Sequence, residues 1–189
     1  MKFVCALLLL VACARQPSPS VATADVAPDA DVYAALIASI YPRTVPDTLL
    51  LGDSTLQFRV PESGDPRWRT QFDSIPAELP HGLETLSRSR RASVRLALPR
   101  PVRTVSAAAL REIFSLGVGA GWEEFHRRYP NQRSYLRFSP VAFSADSLDA
   151  LVYYESHCGG RCGRGEAVWL TRRESARWRV RKNVGFWVS

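Results

Sequence analysis

ALVYYESHCGGRCGRGEAVWLT, Ala150 to Thr171, falls into two apolar runs separated by a turn of cysteines and glycines. The runs are rich in Val, Tyr, Trp and Leu, the residues that fit a pleated, half-buried surface, so each reads as a strand. A short Gly-rich link between two strands brings them back antiparallel. Gly159, Gly160, Gly163 and Gly165 are expected to supply the positive-φ positions that such a compact loop needs.

Working outward, the same chemistry continues on both sides. Upstream, Leu136 and Phe138 share one parity and Val141 and Phe143 the other, so Pro140 is expected at a bulge or edge that shifts the register by one. Downstream, Trp178 and Val180 alternate with Arg177, Arg179 and Arg181, the pattern of a strand with one apolar face. Residues 135–189 thus read as a four-stranded antiparallel meander.

The first half of the chain supplies helices. DVYAALIASIY (Asp31 to Tyr41) places Val32, Leu36 and Ile40 beside Tyr33 and Ile37 at helical spacing, and Pro42 closes it. IPAELPHGLETLSR reads as a helix interrupted or delayed by Pro80 and Gly82. SAAALREIF is a short helix with Ser106 as its cap. In GWEEFHRRYP, Trp122, Phe125 and Tyr129 form one stripe, expected to bury against the meander, while Glu123–Arg127 and Glu124–Arg128 form i,i+4 pairs. TLLLGDSTLQFRV reads as a strand, a turn at Gly52 to Ser54 and a second short strand; SVRLALPRPVRTV reads as an edge strand. The expected fold class is α+β, with two or three helices packed on an antiparallel sheet and a single domain over 31–189.

Two resemblances add to this. WEEFHRRYP, LRFSPVAFSADSLDALVYYESHCGGRCGRGEAVWL and RWRVRKNVGFWVS together are similar to the C-terminal half of an uncharacterised group of exported bacterial proteins, with a W-x-x-F…YP helix and a CGxxCGxG meander ending W-[VI]-S. That resemblance implies a shared fold and carries no activity. At the other end, MKFVCALLLLVACARQPSPS has a charge at Lys2 and an apolar run too short to span a bilayer, which is a secretory signal. Its end, LVAC, resembles the lipobox of bacterial lipoproteins, which implies cleavage after residue 12 and a diacylated Cys13. Residues 13–30 are then a Pro-, Ala- and Ser-rich tether with little to bury. By the same resemblance, Ala14 after the cysteine favours the outer membrane, on its periplasmic face.

The net charge is +7, and loss of Lys2 with the signal leaves +6. An exported chain rarely meets nucleic acid, so the expected partners are the membrane reached through the anchor and anionic lipids or envelope polymers. With Cys5 removed and Cys13 acylated, Cys158 and Cys162 remain as a pair in an oxidising compartment, where a disulfide is the expected outcome. The alternative is a zinc or copper site built on His157, Cys158 and Cys162. It is short of ligands, because structural zinc sites need four and His81 and His126 are distant in sequence. LLLGDSTL resembles the first block of GDSL-type hydrolases. The base that family needs, D-x-x-H, is missing, since Glu78, Glu123 and Tyr154 stand three residues before His81, His126 and His157. No catalytic residues and no cofactor are expected. A further alternative is a small-ligand binder with a pocket lined by Trp169, Trp178 and Trp187.

Overall fold

A computed structural model describes residues 29–41, 48–60, 70–89 and 101–189; the expected signal peptide, Cys13 and most of the tether lie outside the described residues. The fold is α+β. Its seven-stranded sheet comprises β1 (Leu49–Gly52), β2 (Val102–Val105), β3 (Tyr135–Phe138), β4 (Ala142–Phe143), β5 (Asp149–His157), β6 (Arg164–Thr171) and β7 (Arg179–Val188). The strand order is β2-β1-β3-β5-β6-β7, with β4 added alongside β5.

From β3 onward the sheet is the expected antiparallel meander. The register shift around Pro140 is there: Phe138 faces Tyr154 and Ala142 faces Leu151, four residues on one strand against three on the other. The remainder corrects the expectation of a wholly antiparallel sheet. β1 is parallel to both β2 and β3, so the sheet is mixed. The second short strand expected after Ser54 is absent; residues 55–60 run extended outside the ladder, tied by Leu56 N–H to the Phe138 carbonyl (2.8 Å) and by Phe58 N–H to Ser87 Oγ (2.9 Å). Every residue of β1 is buried, as in a parallel strand covered on both faces. The proposed edge strand at 94–98 lies outside the described residues, and only the end of that segment forms β2.

Four helices, more than the two or three expected, have both ends among the described residues: α1 (Asp29–Ile40), α2 (Glu78–Ser87), α3 (Ala107–Phe114) and α4 (Val118–Arg128). They cover both faces of the sheet. α1 packs Val32, Tyr33, Leu36 and Ile37 on one face, against Leu49, Leu51, Leu136, Val152, Tyr154, Leu170 and Trp178. α2 packs Leu79 and Leu83 on the opposite face, against Leu151, Tyr153, Ala167 and Val184. Beside it, α3 and α4 bury Ile113 and Phe125 with Leu50, Val105 and Tyr135.

The Trp122–Phe125–Tyr129 stripe is therefore real, but it packs mainly with the parallel half of the sheet, and Tyr135 is the meander residue in its cluster. Ser106 caps α3 as expected, accepting from Ala109 N–H at 3.0 Å. Arg128 pairs with Glu124 at 2.5 Å, whereas Arg127 also chooses Glu124 and not Glu123.

The direction of α1 gives the domain two distinguishable ends. Tyr33 donates its hydroxyl to the Ser139 carbonyl (2.7 Å) just past the end of β3, and Tyr41 Oη lies 3.4 Å from Ser134 Oγ just before its start. α1 thus runs antiparallel to β3. Its N-terminus, where the chain enters the described domain, lies at the end of the sheet that carries the β6–β7 turn. The cysteine hairpin lies at the other end, where His157 pairs with Tyr135.

Candidate functional site

At the hairpin, Cys158 and Cys162 stand at disulfide distance, with Cα atoms 5.4 Å apart. In that state they offer no thiolate to a metal. Only Gly159 of the four expected glycines has a positive φ (133°). Two of the others are required for a different reason. A Cβ at Gly163 would come within 2.9 Å of the Trp187 ring, and one at Gly165 would overlap both that indole and the Tyr153 hydroxyl. The glycines clear a bed for Trp187, a role that only the strand pairing reveals.

Trp187 is one end of a row of rings that crosses the sheet. Its centroid lies 5.3 Å from His157; His157 stacks on Tyr135 at 4.7 Å and 13°; Tyr135 faces Trp122 of α4 at 6.1 Å. Charged groups run beside the rings. Glu155, two residues before His157 on the same strand face, reaches His157 Nε2 at 3.2 Å, accepts from the Tyr153 hydroxyl at 3.2 Å and lies 3.5 Å from Arg137 Nη1. The Trp187 indole donates to the Tyr153 oxygen at 3.0 Å.

The side chains of Glu155, His157 and Arg137 are 18, 26 and 23 % exposed, so the network is partly desolvated but reachable from solvent. Burial pushes the Glu155 carboxyl up. The His157 hydrogen bond and charge, Arg137 and the Tyr153 hydroxyl outweigh it and hold the group below its usual range. Burial raises the Tyr135 hydroxyl to about 12, and raises Tyr153 further. Tyr153 is accordingly a hydrogen-bond donor at neutral pH and not a nucleophile. Tyr135 in the middle of the row is buried in the core, so the rings that stay partly exposed are Trp122, His157 and Trp187, beside a half-buried ion pair, an arrangement suited to stacking and hydrogen bonding.

The other residues singled out from the sequence are dispersed. Trp178 is buried under α1, with Arg172 over its ring at 4.9 Å. Trp169 faces the α2 side and donates to Asp149 Oδ1 at 3.1 Å. Trp187 is at the opposite end, so the three tryptophans do not line one pocket. A cleft of about 400 Å³ lies elsewhere, between the extended segment at Phe58 and Arg59 and the end of α2 at Ser87 and Arg88, with none of the tryptophans in its wall. His81 is on α2 and not in a loop, and His126 is on α4; both are exposed. Asp53 accepts from Ala107 N–H at 3.2 Å, which assists the cap of α3, so the GDS turn has a structural role. Among the described residues no group of three or more His, Cys, Asp or Glu is placed to hold a metal.

Sequence reasoning missed the ring row. Its members come from α4, β3, β5 and β7, and no local spacing links them. No family model, characterised relative or solved structure matches the chain.

Proposed function

We propose that the chain is a lipid-anchored module of the bacterial envelope, exported by residues 1–12, held through Cys13, and acting by binding and not by catalysis. The observation that carries this reading is the sequence LVAC leading into ARQPSPSVATADVAPDA, a cleavage-and-acylation site followed by a segment with little to bury. One acyl chain binds a membrane marginally and two bind it stably, so a diacylated Cys13 means permanent residence at the membrane surface.

The domain's two ends support a division of labour. α1 receives the chain at one end, and the row Trp122–Tyr135–His157–Trp187 lies at the other. That row is the binding surface in this reading. Converting Cys13 to serine tests the anchor: the wild type is expected in the membrane fraction and Cys13→Ser in the soluble periplasm. A wild type released by lysis without detergent would contradict the reading.

A further inference from the structure

The end of the domain where the chain enters also carries its most basic strand edge. Among the described residues β7 is last in the strand order and pairs only with β6. Along it and the turn before it, Arg177, Arg179 and Arg181 are exposed, and none of them makes an ion pair among the described residues. Trp178 and Val180 point to the α1 side and are covered there, which turns Arg179 between them to the opposite side, while Arg181 stands in the bulge where the register against β6 shifts between Val180 and Lys182. Of the acidic groups at this end, Asp149, buried, holds Arg173 at 2.5 Å, and Asp146 holds the same guanidinium at 2.9 Å, while Glu174 is exposed in the turn and Asp29 and Asp31 stand in the first turn of α1. No acidic residue occurs from Ser175 to Ser189.

We propose that Arg177, Arg179 and Arg181 dock the domain on the anionic headgroups of the membrane that holds it, with the β6–β7 turn inward and the cysteine hairpin outward. This rests on the anchored reading above and adds an orientation to it. Two independent features point the same way. The first is charge complementarity between a guanidinium row and an anionic lipid surface. The second is the direction of α1, which delivers the chain from Cys13 to this end and not to the hairpin end. The sixteen residue-to-residue steps from Cys13 to Asp29 reach at most ~55 Å when fully extended, so the basic edge cannot leave the neighbourhood of the surface.

The test uses the Cys13→Ser chain, which removes the anchor and isolates the docking. Co-sedimentation is measured with vesicles of phosphatidylcholine alone and of phosphatidylcholine mixed with phosphatidylglycerol, at low and physiological salt. Binding is expected only to the anionic vesicles and is expected to weaken with salt. Arg177→Gln with Arg179→Gln and Arg181→Gln should weaken it about a hundredfold, at about fivefold per arginine. Arg133→Gln with Arg161→Gln and Arg164→Gln removes the same charge at the hairpin end and should weaken it by less than about tenfold. Circular dichroism confirms that both triple variants fold. Equal losses in the two, equal binding to neutral vesicles, or no binding to anionic ones would overturn the proposal. Fractionation of the wild type fails or succeeds separately, so loss of the anchor is distinguishable from loss of the docking.

Discussion

Replacing Asp149 with alanine should cost about 2–3 kcal/mol, because each of its two buried carboxylate oxygens holds a donor. Asp149 opens β5 and is 1 % exposed. One carboxylate oxygen accepts from the Trp169 indole at 3.1 Å, and the other accepts from Arg173 Nε at 2.7 Å. Removing a buried acceptor leaves its donor unsatisfied, which costs about 1–3 kcal/mol for the half-buried indole N–H. Arg173 is 51 % exposed and can recover water, so its share is that of a surface pair, about 0–1 kcal/mol. In a domain of this size each kcal/mol lowers the melting temperature by roughly 2–4 °C, giving a fall of about 4–12 °C. Urea unfolding of Asp149→Ala, Trp169→Phe and the double variant provides the assay. With the indole N–H gone there is no orphan donor, so Trp169→Phe should cost less in the Asp149→Ala background than in the wild type, by about 1 kcal/mol. A loss below about 0.5 kcal/mol for Asp149→Ala, or strict additivity, would refute the reasoning.

Phe125→Ala should cost about 3–5 kcal/mol by urea unfolding, because the ring is fully buried between Trp122, Tyr129 and Tyr135; a loss near zero would make α4 peripheral. Changing both Cys158 and Cys162 to serine should lower stability by about 2 kcal/mol, the entropy of a closed five-residue ring, while the far-ultraviolet spectrum stays unchanged. Two reactive thiols in the unreduced wild type would contradict that pairing. Glu155 has a folded pKa below its ordinary 4.5, so its contribution is complete above about pH 4.5 and fades as pH falls through the folded value. The stability difference between wild type and Glu155→Gln should therefore shrink on acidification below that pH. A difference that stays constant or grows would refute the network around His157.

The meander was legible because its signals are local. The strands from Tyr135 to Val188 are apolar runs or alternating segments, and turns of Gly, Asp and Ser separate them, so each connection announces the next antiparallel pairing. The parallel half gives no such notice. β1 joins β2 and β3 through long crossovers, and its partners are chosen by burial on both faces, which a run of three leucines shares with an antiparallel core strand. The helical stripe at Trp122, Phe125 and Tyr129 was readable from spacing, but which part of the sheet it covers depends on that crossover. The glycines of the hairpin show the same limit. Their abundance marks a turn, yet Gly163 and Gly165 answer to Trp187, more than twenty residues away. The candidate site was the least legible part. His157 was weighed from the sequence as a metal ligand beside the cysteines and as a hydrolase base, while its contacts are Tyr135, Glu155 and Trp187.

The central claim is that Cys13 is the first residue of the mature protein and carries the anchor. Mass spectrometry of the N-terminal peptide, from protein purified out of the membrane fraction of its own host, tests this directly. The account predicts a peptide that begins at Cys13 and carries the mass of a diacylglyceryl group. A mature chain that begins elsewhere, or a Cys13 without lipid, would contradict it.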